Sequence, residues 1–199
     1  MRLEQPYCVY EGHLSADTCD RIIDLGNSLA PMPAEVAHDP KNNLRDSKVS
    51  WIRRNDGTAW VYDLISDIVS QTNERHWKWS LTGPESIQYT QYGPEQFYTW
   101  HADQRRKPYD AASRWPGQTR KISISIHLSE AHEYEGGEFV IEDIQAPPDN
   151  MERRLAPLLE ARTRGSAIVF PSHLYHRVNP VISGTRRSLV AWFLGPPFV

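Results

Sequence analysis

Cysteine is scarce in this chain. The 199 residues hold two, Cys8 and Cys19, which form neither a CxxC motif nor a disulfide framework. Both read as small core hydrophobes, and a reducing cytoplasm is the expected setting. Long apolar runs are absent too: no stretch approaches the ~20 residues of a membrane span. The N-terminal MRLEQPYCVYEG has no apolar signal-peptide core. Charge of one sign is lacking, since the net charge is -3, so there is no global basic field and nucleic acid is not an expected partner. No internal repeat, low-complexity tract or strong linker divides the chain. The expectation is a single domain over 1-199, long enough for a sizeable core. What the sequence does have is 15 Pro and 11 Gly, a turn-rich composition that suits a β-rich fold.

The hydrophobic pattern changes period along the chain. Tyr7 to Tyr10 reads as a short strand. Ser15 is a candidate N-cap, with Asp17 in the first turn. Cys19, Ile22, Ile23 and Leu29 then recur at helical spacing, so a helix is expected over 16 to 29, stopped by Pro31 and Pro33. The polar stretch to Ser47 reads as a loop and Lys48 to Arg54 as a strand. Trp60, Val61, Leu64, Ile65, Ile68 and Val69 form a broad apolar face on a second helix, from Gly57 to about Arg75.

From Glu85 onward the period becomes two. Ser86 to Tyr92, Gln96 to His101, Arg120 to Ser129, Glu138 to Ile141, Ala167 to Phe170, Tyr175 to Asn179 and Arg186 to Leu194 all read as strands. Gly136 and Gly137 suggest a bend or bulge, and 143 to 159 a long hairpin excursion. Two helices followed by about eight short strands predict a mainly β fold. The expected form is a double-stranded β-helix (jelly roll) over about 85-195, with helical support over about 1-80 packed on the sheet. In the strand Arg120 to Ser129, Ile122, Ile124, Ile126 and Leu128 share one face, and Ser123, Ser125 and His127 share the other. The isoleucine face belongs under the helices. The polar face then either lines a site inside the barrel or meets solvent on an open sandwich.

The candidate chemistry starts at QYGPEQFYTWHADQ. In a strand, residues two apart point the same way, so His101 and Asp103 can aim an imidazole and a carboxylate at one point. Two such ligands and a distant second histidine make a facial triad that holds non-heme Fe(II) and leaves open positions on the metal. His173 and His176 both qualify by position as the third ligand. Alone, the tripeptide is an easily accidental pattern.

FYTWHAD, RKISISIHLS, YEGGEFVI and FPSHLYHRVNPVISGTRRSLVAWF occur in the order found in one family. Over about residues 85 to 195 the chain resembles the prolyl-4-hydroxylase-type 2-oxoglutarate/Fe(II) dioxygenases, nearest to their bacterial and phage branch. The resemblance implies that His101, Asp103 and His176 bind Fe(II), with His173 left as a loop residue near the entrance. It implies that Arg186 holds the distal carboxylate of 2-oxoglutarate, with Trp192 on the same strand face. Arg186 and Arg187 are neighbours and so face opposite ways; Arg187 is then a solvated charge. Tyr92 stands where relatives carry a cosubstrate-contacting tyrosine, although Tyr89 or Tyr98 could take that role. His127 stands where some relatives have a tyrosine, and is either a cosubstrate contact or a structural hydrogen-bonding group. Ser125 belongs to the same polar face.

The activity implied is hydroxylation of an unactivated C–H bond in a peptidyl or free amino-acid side chain, proline by resemblance. 2-Oxoglutarate and O2 are the cosubstrates. The carboxylate at Asp103 argues against a halogenase, which would carry a small residue there. Oxidative demethylation of a nucleobase and a non-catalytic binding module are the competing readings. The loop from Gln104 to Gln118 leaves directly from a metal ligand, and its Arg105, Arg106 and Trp115 are expected at the substrate entrance.

Overall fold

Both helices of the N-terminal region have one apolar side and so need a sheet to lie on. The computed structural model, which describes residues 5–34, 44–147 and 149–198, provides that sheet. The strands in chain order are β1 (Cys8–Tyr10), β2 (Met32–Pro33), β3 (Arg45–Asp46), β4 (Lys48–Ile52), β5 (Gly83–Pro84), β6 (Ile87–Tyr92) and β7 (Phe97–His101). They continue with β8 (Thr119–His127), β9 (Tyr134–Gly136), β10 (Phe139–Ile141), β11 (Ala167–Pro171), β12 (His176–Val178), β13 (Val181–Gly184) and β14 (Arg186–Gly195). The helices are α1 (Ala16–Asn27), α2 (Ala59–His76) and the single turn α3 (Met151–Arg154). The large sheet runs β1-β11-β8-β14-β6-β4-β2, with β5 joined to β14; the small sheet runs β10-β12-β7-β3; β9 and β13 form a separate pair. The fold is mainly β, as the pattern predicts.

The strand β8 shows how the layers are built. Ile122, Ile124 and Ile126 are fully buried against Ile22 of α1 and Val61, Ile65 and Val69 of α2 in one core. Each such side chain contributes roughly 1.5–3 kcal/mol on leaving water. The opposite face of the sheet meets the small sheet across a second core, which joins Tyr92, Ile168 and Phe170 to Phe139, Ile141 and Val178. The polar face of β8 therefore points between the sheets and not to solvent.

Strand register arranges that inner face in rows. Trp192 lies opposite Ser123 and Ser123 opposite Phe170; Val190 lies between Ser125 and Gln88, with Trp51 next to Gln88. Arg186 lies opposite Tyr92 at the other end of β14. The even positions of β14 thus run from Arg186 to Trp192 along one wall.

Several boundaries differ from the sequence expectation. The helix α1 ends at Asn27 and not at 29, because Ser28 donates its hydroxyl to the Leu25 carbonyl at 2.7 Å. The loop expected up to Ser47 lies partly outside the described residues, over 35–43, but its flanks carry β2 and β3. The excursion 143 to 159 holds α3, whose first turn Asn150 caps through the Arg153 N–H at 3.0 Å. Gly136 and Gly137 both take positive φ, 74° and 62°, and a Cβ on Gly136 would stand 2.5 Å from the Pro180 oxygen.

Candidate active site

Antiparallel pairing of β7 with β12 sets His101 opposite His176, with ring centroids 4.1 Å apart. Asp103 follows two residues beyond His101. Its Oδ1 lies 3.7 Å from His101 Nε2 and its Oδ2 lies 3.5 Å from His176 Nε2. One ligand atom from each of the three side chains lies within 4.8 Å of the others, so the group can hold a single cation.

The tautomers are set by the backbone. His101 Nδ1 lies 2.8 Å from the Thr99 carbonyl and His176 Nδ1 lies 3.0 Å from the Leu174 carbonyl. A carbonyl accepts only, so each Nδ1 carries a proton, and each Nε2 faces Asp103. Burial first, then the neighbouring His176, pushes the His101 pKa down to about 3, so this imidazole stays neutral. Burial pushes the Asp103 carboxyl up, but His176, His101, Arg120 and the Ser123 hydrogen bond together hold it below its ordinary value. Two imidazole nitrogens and a carboxylate that converge on one point form a donor set suited to a divalent cation.

The surrounding side chains hold these ligands in place. Tyr98 stacks on His101 with centroids 3.4 Å apart. Phe139 and Phe170 flank His176 at 5.6 and 4.8 Å. Ser123 Oγ donates to Asp103 Oδ2 at 2.8 Å and pairs with Ser172 Oγ at 2.9 Å. A group that orients a ligand typically accounts for 10–100-fold in metal affinity. Ser123→Ala is therefore expected to weaken the binding of a divalent cation at this cluster by about that factor. Direct metal titration checks this.

The cluster opens on a cavity whose walls include Tyr92, Ser125, Trp192 and Arg186. Arg186 is only 3% exposed. Its Nη1 donates to Ser188 Oγ at 3.3 Å and its guanidinium lies 5.7 Å from the Tyr92 ring centre. Among the described residues no carboxylate pairs with it, and burial draws its pKa down. Arg187 faces outward and pairs with Glu133 at 3.3 Å. The indole N–H of Trp192 is buried with no partner among the described residues.

His127 stands apart from the other expected residues. It does not line the cavity; its Nε2 lies 3.2 Å from the Tyr134 hydroxyl, one partner in a buried pair behind Arg186. Neighbouring β9 supplies Tyr134, which sequence parity cannot connect to β8. His173 lies outside the cluster, packed near Trp79 and edge-on to Phe198.

Tyr98, one of the alternatives to Tyr92, also lines the cavity, and the structure adds Arg45 and Gln88 to its wall. Arg45 is 6% exposed, donates to Gln88 Oε1 at 2.9 Å and to Ser47 Oγ at 2.8 Å, and covers the Tyr98 ring at 4.7 Å. An arginine in a polar stretch carries no periodic signal, so the sequence alone does not separate it from a solvated charge.

At the mouth, Arg120 stacks on Trp192 at 4.0 Å and pairs with Glu85 through bonds of 2.7 and 2.9 Å. Tyr109 donates to the same Glu85 at 2.8 Å and so ties the 104–118 loop to the rim. Arg105 covers Tyr109 at 4.5 Å, Arg106 is exposed, and Trp115 sits beside Arg114. None of Arg105, Arg106 and Trp115 lines the cavity itself.

Residues 87–194 match the family model of the 2OG-Fe(II) oxygenase superfamily. A PKHD-type hydroxylase of Prochlorococcus marinus is 30% identical over 155 residues, covering 76% of this chain and 58% of the relative. A PKHD-type hydroxylase of Idiomarina loihiensis is 33% identical over 101 residues, 51% of this chain and 38% of the relative. The chain thus spans well under two thirds of either relative's length. The viral collagen prolyl hydroxylase of Paramecium Bursaria Chlorella virus-1, solved as a 2OG complex, has a TM-score of 0.67 at 19% identity, over 96% of this chain and 97% of its own. A prolyl hydroxylase of Trichoplax adhaerens, solved with a hypoxia inducible factor peptide fragment, has a TM-score of 0.70 at 16% identity, over 96% and 84%. At such identities the likeness is one of fold.

Proposed function

Because the chain belongs to the 2OG-Fe(II) oxygenase superfamily, we propose that it hydroxylates an unactivated C–H bond of a peptide, with proline as the target residue. We read its two facing sheets as a double-stranded β-helix around the site. Arg186 carries the argument: a buried guanidinium that no carboxylate pairs with among the described residues, in the same cavity as a His-Asp-His cluster. A buried charge with no partner is costly, and an anionic ligand offsets that cost.

In this reading His101, Asp103 and His176 hold Fe(II) from one side. Arg186 forks onto the distal carboxylate of 2-oxoglutarate, with Ser188 fixing one of its arms. Tyr92 and Ser125 shape the wall between, and the unpartnered Trp192 N–H is available to an oxygen of either ligand. Fe(II) held there would activate O2, the oxidant, one oxygen atom of which would enter succinate as 2-oxoglutarate loses CO2 and the other the hydroxylated substrate. The phenyl, phenol and indole rings around the cluster exclude water from it.

A peptide suits the open rim better than a small free amino acid. Trp51 is exposed next to Trp192, ring centres 6.3 Å apart, and Arg120 covers the other indole from outside. These groups can grip an extended chain by stacking and charge. The prolyl hydroxylases of like fold, one of them solved with a peptide, support the same substrate class.

The test is turnover by the purified chain with Fe(II), 2-oxoglutarate, O2 and proline-containing peptides. Succinate should form slowly without peptide and faster with an accepted one, which gains 16 Da. No succinate under any of these conditions would contradict the proposal.

A further inference from the structure

Glu85 separates the catalytic cavity from a second recess. Its backbone N–H donates to the Trp192 carbonyl at 2.9 Å, so the two lie side by side in the sheet. Beyond it the surface dips into a recess of about 80 Å³ between Tyr62, Pro84 and Trp115, with Arg54 and Arg114 in its wall.

The charges there are unequally committed. The Glu85 carboxylate is taken up by Arg120 at 2.7 and 2.9 Å and by Tyr109 at 2.8 Å, so it does not make the recess negative. Arg54 pairs with Asp63 at 3.0 Å, but the side chains are 57% and 64% exposed, and such a surface pair holds weakly. Arg114 stacks on Trp115 at 5.4 Å and has no carboxylate partner among the described residues. Burial raises the pKa of the Tyr62 hydroxyl, and both arginines act on it in the opposite sense, which places both cations near one wall.

That wall is well supported. Tyr62 donates to the Ile52 carbonyl at 2.7 Å. The loop that carries Arg114 is closed by the Tyr109 N–H on the Gln118 carbonyl and the Gly117 N–H on the Tyr109 carbonyl, at 2.8 and 2.9 Å. A cation presented from a held loop loses little freedom when it binds. Strands are spaced at about 4.8 Å and an extended chain rises about 3.3 Å per residue. One strand spacing is thus about one and a half residues of extended peptide, so a recess on the strand next to Trp192 lies within about three peptide residues of it.

We propose that this recess is a specificity subsite for an acidic side chain, Asp or Glu, within about three positions of the residue presented to the metal. The inference rests on the peptide-hydroxylase reading above. A carboxylate there would meet a guanidinium fork against an aromatic wall, a combination that neutral Asn or Gln cannot match.

The probe is a library of proline-centred peptides with each flanking position varied among Asp, Asn, Lys and Ala. The full chain hydroxylates it with Fe(II), 2-oxoglutarate and O2, and products heavier by 16 Da are sequenced by mass spectrometry. Asp should exceed Asn by about tenfold at one position within about three residues of the hydroxylated proline, the worth of a charge-assisted contact. Arg114→Gln should flatten that preference, and Arg114→Glu should turn it toward Lys at the same position. Both change an exposed side chain, and an unaltered melting temperature shows that they fold.

Hydroxylated peptides with no acidic preference overturn the subsite, as does a preference that survives Arg114→Glu. Succinate formation with no peptide gaining 16 Da, or turnover stimulated only by a single-stranded oligonucleotide, overturns the peptide reading and the subsite with it.

Discussion

His176→Ala is expected to reduce peptide hydroxylation and succinate formation to background, and to lower the Fe(II) content from one ion per chain toward none. His101→Ala and Asp103→Ala should do the same. The expectation rests on how few donors the site has: two imidazole nitrogens and one carboxylate converge, and nothing else among the described residues joins the cluster. Removing His176 also empties the space between Phe139 and Phe170, so the variant should be checked for folding by its melting curve. His173→Ala is the control, since that ring packs near Trp79 and Phe198 away from the cluster. Its Fe(II) content should equal that of the parent chain. Elemental analysis of the purified variants measures all four. If His173→Ala lost the metal and His176→Ala kept it, the third ligand would be misassigned.

Arg186→Met should have the second-largest effect, and it acts in two opposite directions. The apparent KM for 2-oxoglutarate should rise about tenfold or more, the loss of a charge-assisted bond of about 1.5–3 kcal/mol. The ligand-free protein, however, should melt at the same temperature as the parent or higher. Methionine keeps much of the apolar stem and removes a buried cation that no carboxylate among the described residues pairs with. In the parent chain, 2-oxoglutarate at a hundred times its Kd should add about 2.7 kcal/mol of stability with the metal in place. Arg186→Met should lose that stabilisation at the same concentration. Arg187→Ala should change neither KM nor the ligand-induced shift, because Arg187 points outward to Glu133 in a pair of the kind worth about 0–1 kcal/mol. Differential scanning calorimetry with and without ligand reads both effects. A large loss of 2-oxoglutarate affinity in Arg187→Ala with none in Arg186→Met would place the strand parity off by one residue.

Parity is also why much of the site was legible in the sequence. The alternation of Ile122, Ile124 and Ile126 with Ser123 and Ser125 is long enough to assign faces, and the structure keeps those faces. The same count from Arg186 to Trp192 brings both to one cavity. His127 obeys the alternation yet stands outside the cavity, because Tyr134 takes its ring nitrogen. Which contacts a given face receives is decided by strands distant in sequence, and alternation carries no information on that.

Arg45 was missed for a related reason. It lies on β3, a strand of two residues, too short to show any period. Its burial follows from pairing with Tyr98 and from Gln88 meeting its guanidinium. The bond from Ser123 to Asp103 likewise joins residues 20 apart that only the folded sheet brings together. Capping and turn chemistry were read more reliably, since Ser15 accepting from the Thr18 N–H at 3.2 Å is a contact within one helical turn.

The central claim is that one cavity holds Fe(II) on the His101, Asp103 and His176 side and 2-oxoglutarate on the Arg186 side. An anaerobic titration tests it most directly: the chain is loaded with one equivalent of Fe(II), 2-oxoglutarate is added, and the visible charge-transfer absorption of the chelated 2-oxo acid is followed. The absorption should saturate with one 2-oxoglutarate per chain, be absent in His176→Ala, and need about tenfold or more 2-oxoglutarate in Arg186→Met. An absorption that developed equally in His176→Ala, or one that Arg186→Met left unchanged at every concentration, would contradict the account.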